Sequence, residues 1–214
     1  SNQLHRNTSI LEKYIPASAV PVVAEWIYTF DFKLKIKRSR STKFGDYRPP
    51  FKGSNHQITV NHNMNKYAFL ITLVHEVAHL HTFNRHKNFV KPHGKEWKES
   101  YRQLMAPLLN TAIFPNDVVI SLNKYMSNPA ASSCSDIELL RVLKKYDENK
   151  HGELLEELLP GTVFVYNNRE FVMGEKIRKR YKCIEIKTRT VYLFSPLTEV
   201  ETKNEERFLP PSFF

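Results

Sequence analysis

Apolar residues recur at helical spacing near the start of the chain. Ile10, Leu11, Tyr14 and Ile15 form a stripe at i, i+1, i+4 and i+5, and the apolar density resumes after Pro16 from Val20 to Phe30. The pattern predicts two short helices, Thr8 to Ile15 and Val20 to Phe30, with Pro21 in a first turn where its missing N–H is not needed. The period then changes to two. Lys33, Lys35 and Lys37 alternate with Leu34 and Ile36, so Phe32 to Arg38 reads as a strand with one basic and one apolar face. Phe44 to Tyr47 reads as a turn, Arg48-Pro49-Pro50 as a loop and Gln57 to Asn61 as a second strand. A long apolar run around Tyr67 to Val74 predicts a helix from about Asn65 to Asn84, with no Gly or Pro between Thr72 and Leu80. Arg85 to Pro92 is expected as a basic loop. Lys95 to Leu109 is a further helix on which Trp97 and Tyr101 share a face at i, i+4 and pack beneath whatever the first helix carries.

From Asn110 to Ser133 the pattern is irregular, with room for one short helix. Asp136 to Tyr146 is amphipathic, with Ser135 or Asp136 as its cap. The run Asn149-Lys150-His151-Gly152 marks a boundary, after which strand signals take over. Thr162 to Tyr166 and Arg169 to Met173 flank Asn167-Asn168 as a hairpin, and Tyr181 to Ile186 and Val191 to Phe194 supply two more strands. The expected organisation is α+β: helices around a small sheet over residues 1–150, then a small β-rich module over residues 151–214.

Composition refines this picture. At 214 residues and 41% hydrophobic content, the chain is long enough for a domain with its own core plus an appendage. The net charge is 32 − 22 = +10, with a pI near 9.5. That favours an acidic partner, and nucleic acid is the commonest. The cations cluster. Lys35, Lys37, Arg38, Arg40 and Lys43 lie on or after the first strand, and Arg178 and Arg180 sit in a second group with Lys176, Lys179 and Lys182. Tyr47, Tyr166 and Tyr181 lie near these groups, where base stacking and ordinary cross-strand packing are both open to them. Cys134 and Cys183 are far apart and argue against a disulfide framework, which fits a reducing, cytoplasmic setting. No signal-peptide pattern and no apolar run of membrane-spanning length is present, so no membrane partner is expected. Oligomeric state is not readable from the sequence.

The chemistry lies in His75-Glu76-Val77-Ala78-His79. Histidines at i and i+4 lie one turn apart on one helix face and can grip one metal ion, while the adjacent glutamate can reach a water on that ion. Two ligands are too few, since catalytic zinc takes three from the protein and keeps one position open. Three histidines follow. His81 points to a nearly opposite face, and His86 lies just past the expected helix end. His93 precedes Gly94, whose freedom lets the chain turn back toward the helix, and is the favoured third ligand.

The pentad, the His93-Gly94-Lys95-Glu96-Trp97 element and the upstream Lys37-to-Gly45 and Ile58-to-Asn61 segments together resemble the SprT-like family of zinc metallopeptidases. The resemblance covers about residues 5 to 110. It implies a zincin-like fold, one zinc ion at His75, His79 and His93, Glu76 as general base, and protein or peptide substrates, in some members proteins trapped on DNA. By the same analogy His56 to His62 is the strand expected to offer a free edge to substrate, with Asn61 and His62 as candidate contacts. Many members carry a four-cysteine ribbon. Two cysteines cannot build one, so residues 151–214 read as a degenerate ribbon without its cysteines or as a small barrel-like binding module. His62, His86 and Tyr101 are candidate second oxyanion donors, and Glu96 and Glu99 candidate orienters of the histidines. The competing reading is a nucleic-acid-binding protein with a structural or vestigial zinc site. A zinc hydrolase acting on something other than protein is a third.

Overall fold

The computed structural model describes residues 2–38, 43–131, 136–148 and 152–203, with side chains from Thr8 onward. Arg40, Cys134 and Ser135, singled out above, lie outside the described residues. The chain divides into two compact units, Ser1–Asp147 and Glu148–Phe214.

The first unit is α+β. Helices α1 (Asn2–Tyr14) and α2 (Val20–Phe30) precede strands β1 (Phe32–Lys37), β2 (Gly45–Arg48) and β3 (His56–Asn61), followed by α3 (Lys66–His86), α4 (Lys95–Met105), α5 (Asn116–Ser127) and α6 (Ile137–Lys144). The sheet order is β1-β3-β2, with β1 parallel and β2 antiparallel to β3. Two expectations change here. Gly45 to Arg48 is a strand and not a turn, because Gly45, Asp46, Tyr47 and Arg48 pair with Val60, Thr59, Ile58 and Gln57. Once β2 occupies that side, β3 is the central strand and His56 to His62 has no free edge. The free edge on that side belongs to β2.

The middle of helix α3 is enclosed on every side. Phe69 to Ala78 are all buried, amid a core that includes Ile58 and Val60 from the sheet and Trp97 and Tyr101 from α4. Its first turn is capped by Asn65, whose side-chain oxygen accepts from the backbone N–H groups of Tyr67 (3.1 Å) and Ala68 (3.0 Å). The same side chain donates to the Leu143 carbonyl and to Asp147, tying α6 to the start of α3. Asn65→Ala is therefore expected to destabilise the first unit by about 1–2 kcal/mol, read as a lowered thermal midpoint. An unchanged midpoint would exclude this cap as a stabilising element. Asp136 caps α6 through the Leu139 N–H. The stretch read as irregular after Asn110 contains the twelve-residue α5, which packs beside α6, and Tyr146 donates to Asp117 at its start.

The second unit is a six-stranded antiparallel sheet of order β4-β9-β5-β6-β7-β8, comprising β4 (Glu153–Leu154), β5 (Val163–Tyr166), β6 (Arg169–Ile177), β7 (Arg180–Glu185), β8 (Val191–Phe194) and β9 (Glu199–Thr202). The Asn167-Asn168 turn has φ of 50° and 59°, the paired left-handed geometry that matches hairpin twist and that asparagine tolerates. Strand β4 has only two residues and β9 (Glu199–Thr202) a single apolar one, so neither carries an apolar strand pattern in the sequence. The core of this unit is Leu155, Phe164, Phe171, Met173, Cys183, Phe194 and Val200. Burial pushes the Cys183 thiol up to about 11, which leaves it protonated and inert at neutral pH. No helix among the described residues is long and apolar enough to cross a membrane.

Candidate metal centre

Helix α3 presents His75 and His79 one turn apart, and His93 reaches them from the connection to α4. One ring nitrogen from each of the three lies within 4.8 Å of the others. His75 Nε2 and His93 Nε2 approach to 3.3 Å, and the ring centroids of His79 and His93 are 4.5 Å apart. The turn that delivers His93 differs from the expectation in an instructive way. His93 itself takes the left-handed conformation (φ 58°), and Gly94 is extended. The glycine serves for space, since a Cβ there would stand 3.0 Å from the Lys91 carbonyl oxygen. A non-glycine residue in the left-handed region stores about 1 kcal/mol of strain, a common feature of functional sites.

Trp97 forms the floor. Its ring centroid lies 4.7 Å from His75, 5.4 Å from His79 and 4.6 Å from His93, and Tyr101 sits 5.6 Å from His75. Both aromatics are fully buried. The Tyr101 hydroxyl donates to the Ile71 carbonyl within this floor, so it braces α3 and is not turned toward a substrate. Such a setting disfavours imidazolium. Burial, then the neighbouring histidines, bring His75 down to about 3 and His79 to about 4, and burial lowers His93 as well. Three neutral imidazoles therefore converge at neutral pH, and protons compete for His75 and His79 only well into the acid range. The residues fit a metal ion by their donor chemistry. The His75–His93 contact places two ring nitrogens face to face, and His75 Nδ1 is buried without a hydrogen-bond partner.

Glu76 is buried next to His75 and lies under strand β2. A Cβ on Gly45 would fall 2.5 Å from Glu76 Oε1, so the absence of a side chain at Gly45 leaves that carboxylate its room. Two residues along β2, the Tyr47 ring lies nearly parallel to His79 (4°, centroids 6.4 Å apart), and its hydroxyl shares a 2.9 Å hydrogen bond with His56 Nδ1. Sequence reading left Tyr47 open and placed it in a turn. Its place on a strand face with Gly45 follows from the β2–β3 pairing, which no local pattern marks.

Among the described residues, His62, His81 and His86 do not join the cluster. His81 shares a hydrogen bond with Ser100 (2.9 Å) and packs against Phe30. His86 is the last residue of α3 and not part of a loop. His62 is exposed, its backbone N–H donating to the Lys37 carbonyl. Asn61 is buried and donates to the Lys43 carbonyl, anchoring the chain that leads into β2. Of the cations, Lys35 and Lys37 stand on β1, and Arg38 and Lys43 are exposed beyond it. Arg178 and Arg180 are exposed at the β6–β7 turn.

Three histidines arranged in this way, two on a buried helix and one beside it, could hold a metal ion, and a buried glutamate lies next to the first of them. Residues 24–121 match the SprT-like family, so the first unit is built around a SprT-like region running from α2 into α5. No curated protein and no solved structure matches the chain.

Proposed function

We propose that the chain is a zinc metallopeptidase in which His75, His79 and His93 hold one zinc ion and Glu76 is the general base. The observation that carries the reading is the convergence of three neutral imidazoles with a buried carboxylate beside the first of them, directly beneath the edge strand β2. Zinc bound there supplies Lewis-acid polarisation of a scissile carbonyl and lowers the pKa of water toward neutrality. The chain's own residues do the rest. The Glu76 carboxylate takes a proton from the attacking water and passes it to the leaving amine. Among the described residues strand β2 pairs on one side only, and its other edge suits an extended peptide added as a further strand. Gly45 lets that strand sit close to the carboxylate, and Tyr47 forms a wall next to His79. A solely structural metal site has no need of a buried carboxylate with a space reserved for it, which places the binding-protein reading second. Family resemblance extends the substrate class to proteins held on DNA.

The test is cleavage of an unfolded protein by zinc-loaded enzyme, with and without chelator. Cleavage that chelator stops and zinc restores is the expected result. His93→Ala is expected to lose the metal and the activity together. Full zinc content in that variant would remove His93 from the ligand set, and hydrolysis indifferent to chelator would overturn the zinc mechanism.

A further inference from the structure

The excess positive charge belongs entirely to the first unit. Residues 1–147 carry 21 Lys and Arg against 11 Asp and Glu, a net 21 − 11 = +10, whereas residues 148–214 carry 11 of each. It is concentrated further still. Residues 33–52 hold eight of those cations and a single acid, Asp46. Strand alternation sorts them in space. Leu34 and Ile36 pack against the core, so Lys33, Lys35 and Lys37 project from the opposite, outer face of the sheet. In the β2–β3 register Arg48 stands opposite Gln57 on that same face.

A groove of about 550 Å³ runs along this face, lined by Lys33, Lys35, Arg48, Phe51, Asn55 and Gln57 among others. Its one acid, Asp31, is engaged by the Asn55 amide at 2.8 Å. Arg48 shares Asp46 with Lys43, while Lys33 and Lys35 form no ion pair among the described residues. Phe51 flanks the groove with 70% of its surface exposed. A tight turn holds it there. Ser54 Oγ donates to the Phe51 carbonyl at 2.7 Å, and Lys52 and Gly53 both take positive φ. Lys52 occupies a left-handed position that glycine or asparagine fills more easily, and its ammonium lies 5.3 Å from the centre of the Phe51 ring.

An exposed aromatic ring beside unpaired lysines and a side-chain amide is the combination that single-stranded nucleic acid uses: phosphates on the cations, a base face on the ring, a base edge on the amide. We propose that this outer face is a binding site for single-stranded nucleic acid, with Lys33 and Lys35 contacting phosphates and Phe51 stacking on a base. A duplex keeps its base faces stacked and offers none to the Phe51 ring. The site lies on the face of the sheet opposite α3, so the proposal stands independently of the peptidase reading.

The experiment is fluorescence anisotropy of a labelled oligothymidylate with the full chain, using Glu76→Gln protein so that no hydrolytic activity enters the result. The Lys33→Gln/Lys35→Gln double variant is expected to weaken binding and reduce the log–log salt slope by about 1.4, two phosphates' worth for a single strand. Phe51→Ala is expected to weaken binding about 5-fold or more with the salt slope unchanged. An Arg178→Gln/Arg180→Gln control on the second unit should bind within about 2-fold of the parent, since it leaves the site's phosphate contacts intact. Each variant is scored only if it keeps the parent's thermal midpoint, and Phe51→Tyr, which retains an aromatic face, should restore binding. The proposal is overturned if the oligonucleotide does not bind, if the sheet variants bind like the parent, or if the Arg178/Arg180 control alone loses binding. It is equally overturned if duplex DNA, polyglutamate or anionic vesicles bind as tightly as the single strand, because Phe51 would then have no base to recognise.

Discussion

Glu76→Gln is expected to reduce peptide hydrolysis by about 10²–10⁴-fold while leaving zinc content and folding unchanged. The substitution keeps the shape of a side chain buried under β2 and removes its charge and its capacity to take a proton. The three histidines that would hold the ion remain, so metal analysis should return the parent stoichiometry. The decisive comparison is kcat at matched zinc occupancy. Cleavage at the parent rate would move the base elsewhere and sink the assigned mechanism. Zinc lost along with activity would mean that Glu76 supports the ligands and does not act on water.

Gly45→Ala should abolish most activity while leaving the three histidines and Glu76 themselves unsubstituted. The added Cβ would meet Glu76 Oε1 at 2.5 Å, Glu76 Cγ at 2.8 Å and Thr72 Cγ2 at 2.9 Å, all far inside van der Waals contact. Either the carboxylate or the strand must shift. A displacement of about 1 Å in a catalytic group costs on the order of 10²-fold in rate, and overpacking of this kind destabilises by about 1–3 kcal/mol. The expected signature is a low kcat, a modestly lowered thermal midpoint and normal zinc binding. Normal kcat would show that the gap above Glu76 has slack, and that the closeness of β2 to the carboxylate has no part in catalysis.

Both expectations depend on a strand that could not be read from the chain. Gly45-Asp46-Tyr47-Arg48 has neither an apolar alternation nor β-branched residues, and its strand character comes from pairing with β3. That pairing also decided which strand has the free edge. Asn61 shows the same thing on a smaller scale. It is a candidate substrate contact by analogy, as part of the strand expected to offer a free edge, yet it is buried and its amide holds the Lys43 carbonyl. Tyr101 was placed correctly beneath the site by its spacing from Trp97, but its hydroxyl proved to be spent on Ile71.

What the chain determined by itself were the features set by local geometry. Histidines four residues apart share a helix face wherever that helix is placed, lysines alternating with apolar residues face away from the core, and Asn167-Asn168 suits a hairpin turn. The tertiary structure alone decided how distant segments meet: His93 swung onto α3 through its own left-handed backbone, β2 inserted beside β3, and the groove formed between Lys33, Arg48 and Phe51. The physical reason is that periodicity is a property of neighbouring residues. Strand order and the approach of a remote ligand follow from burial and pairing energies summed over the whole unit, which no single stretch of sequence carries.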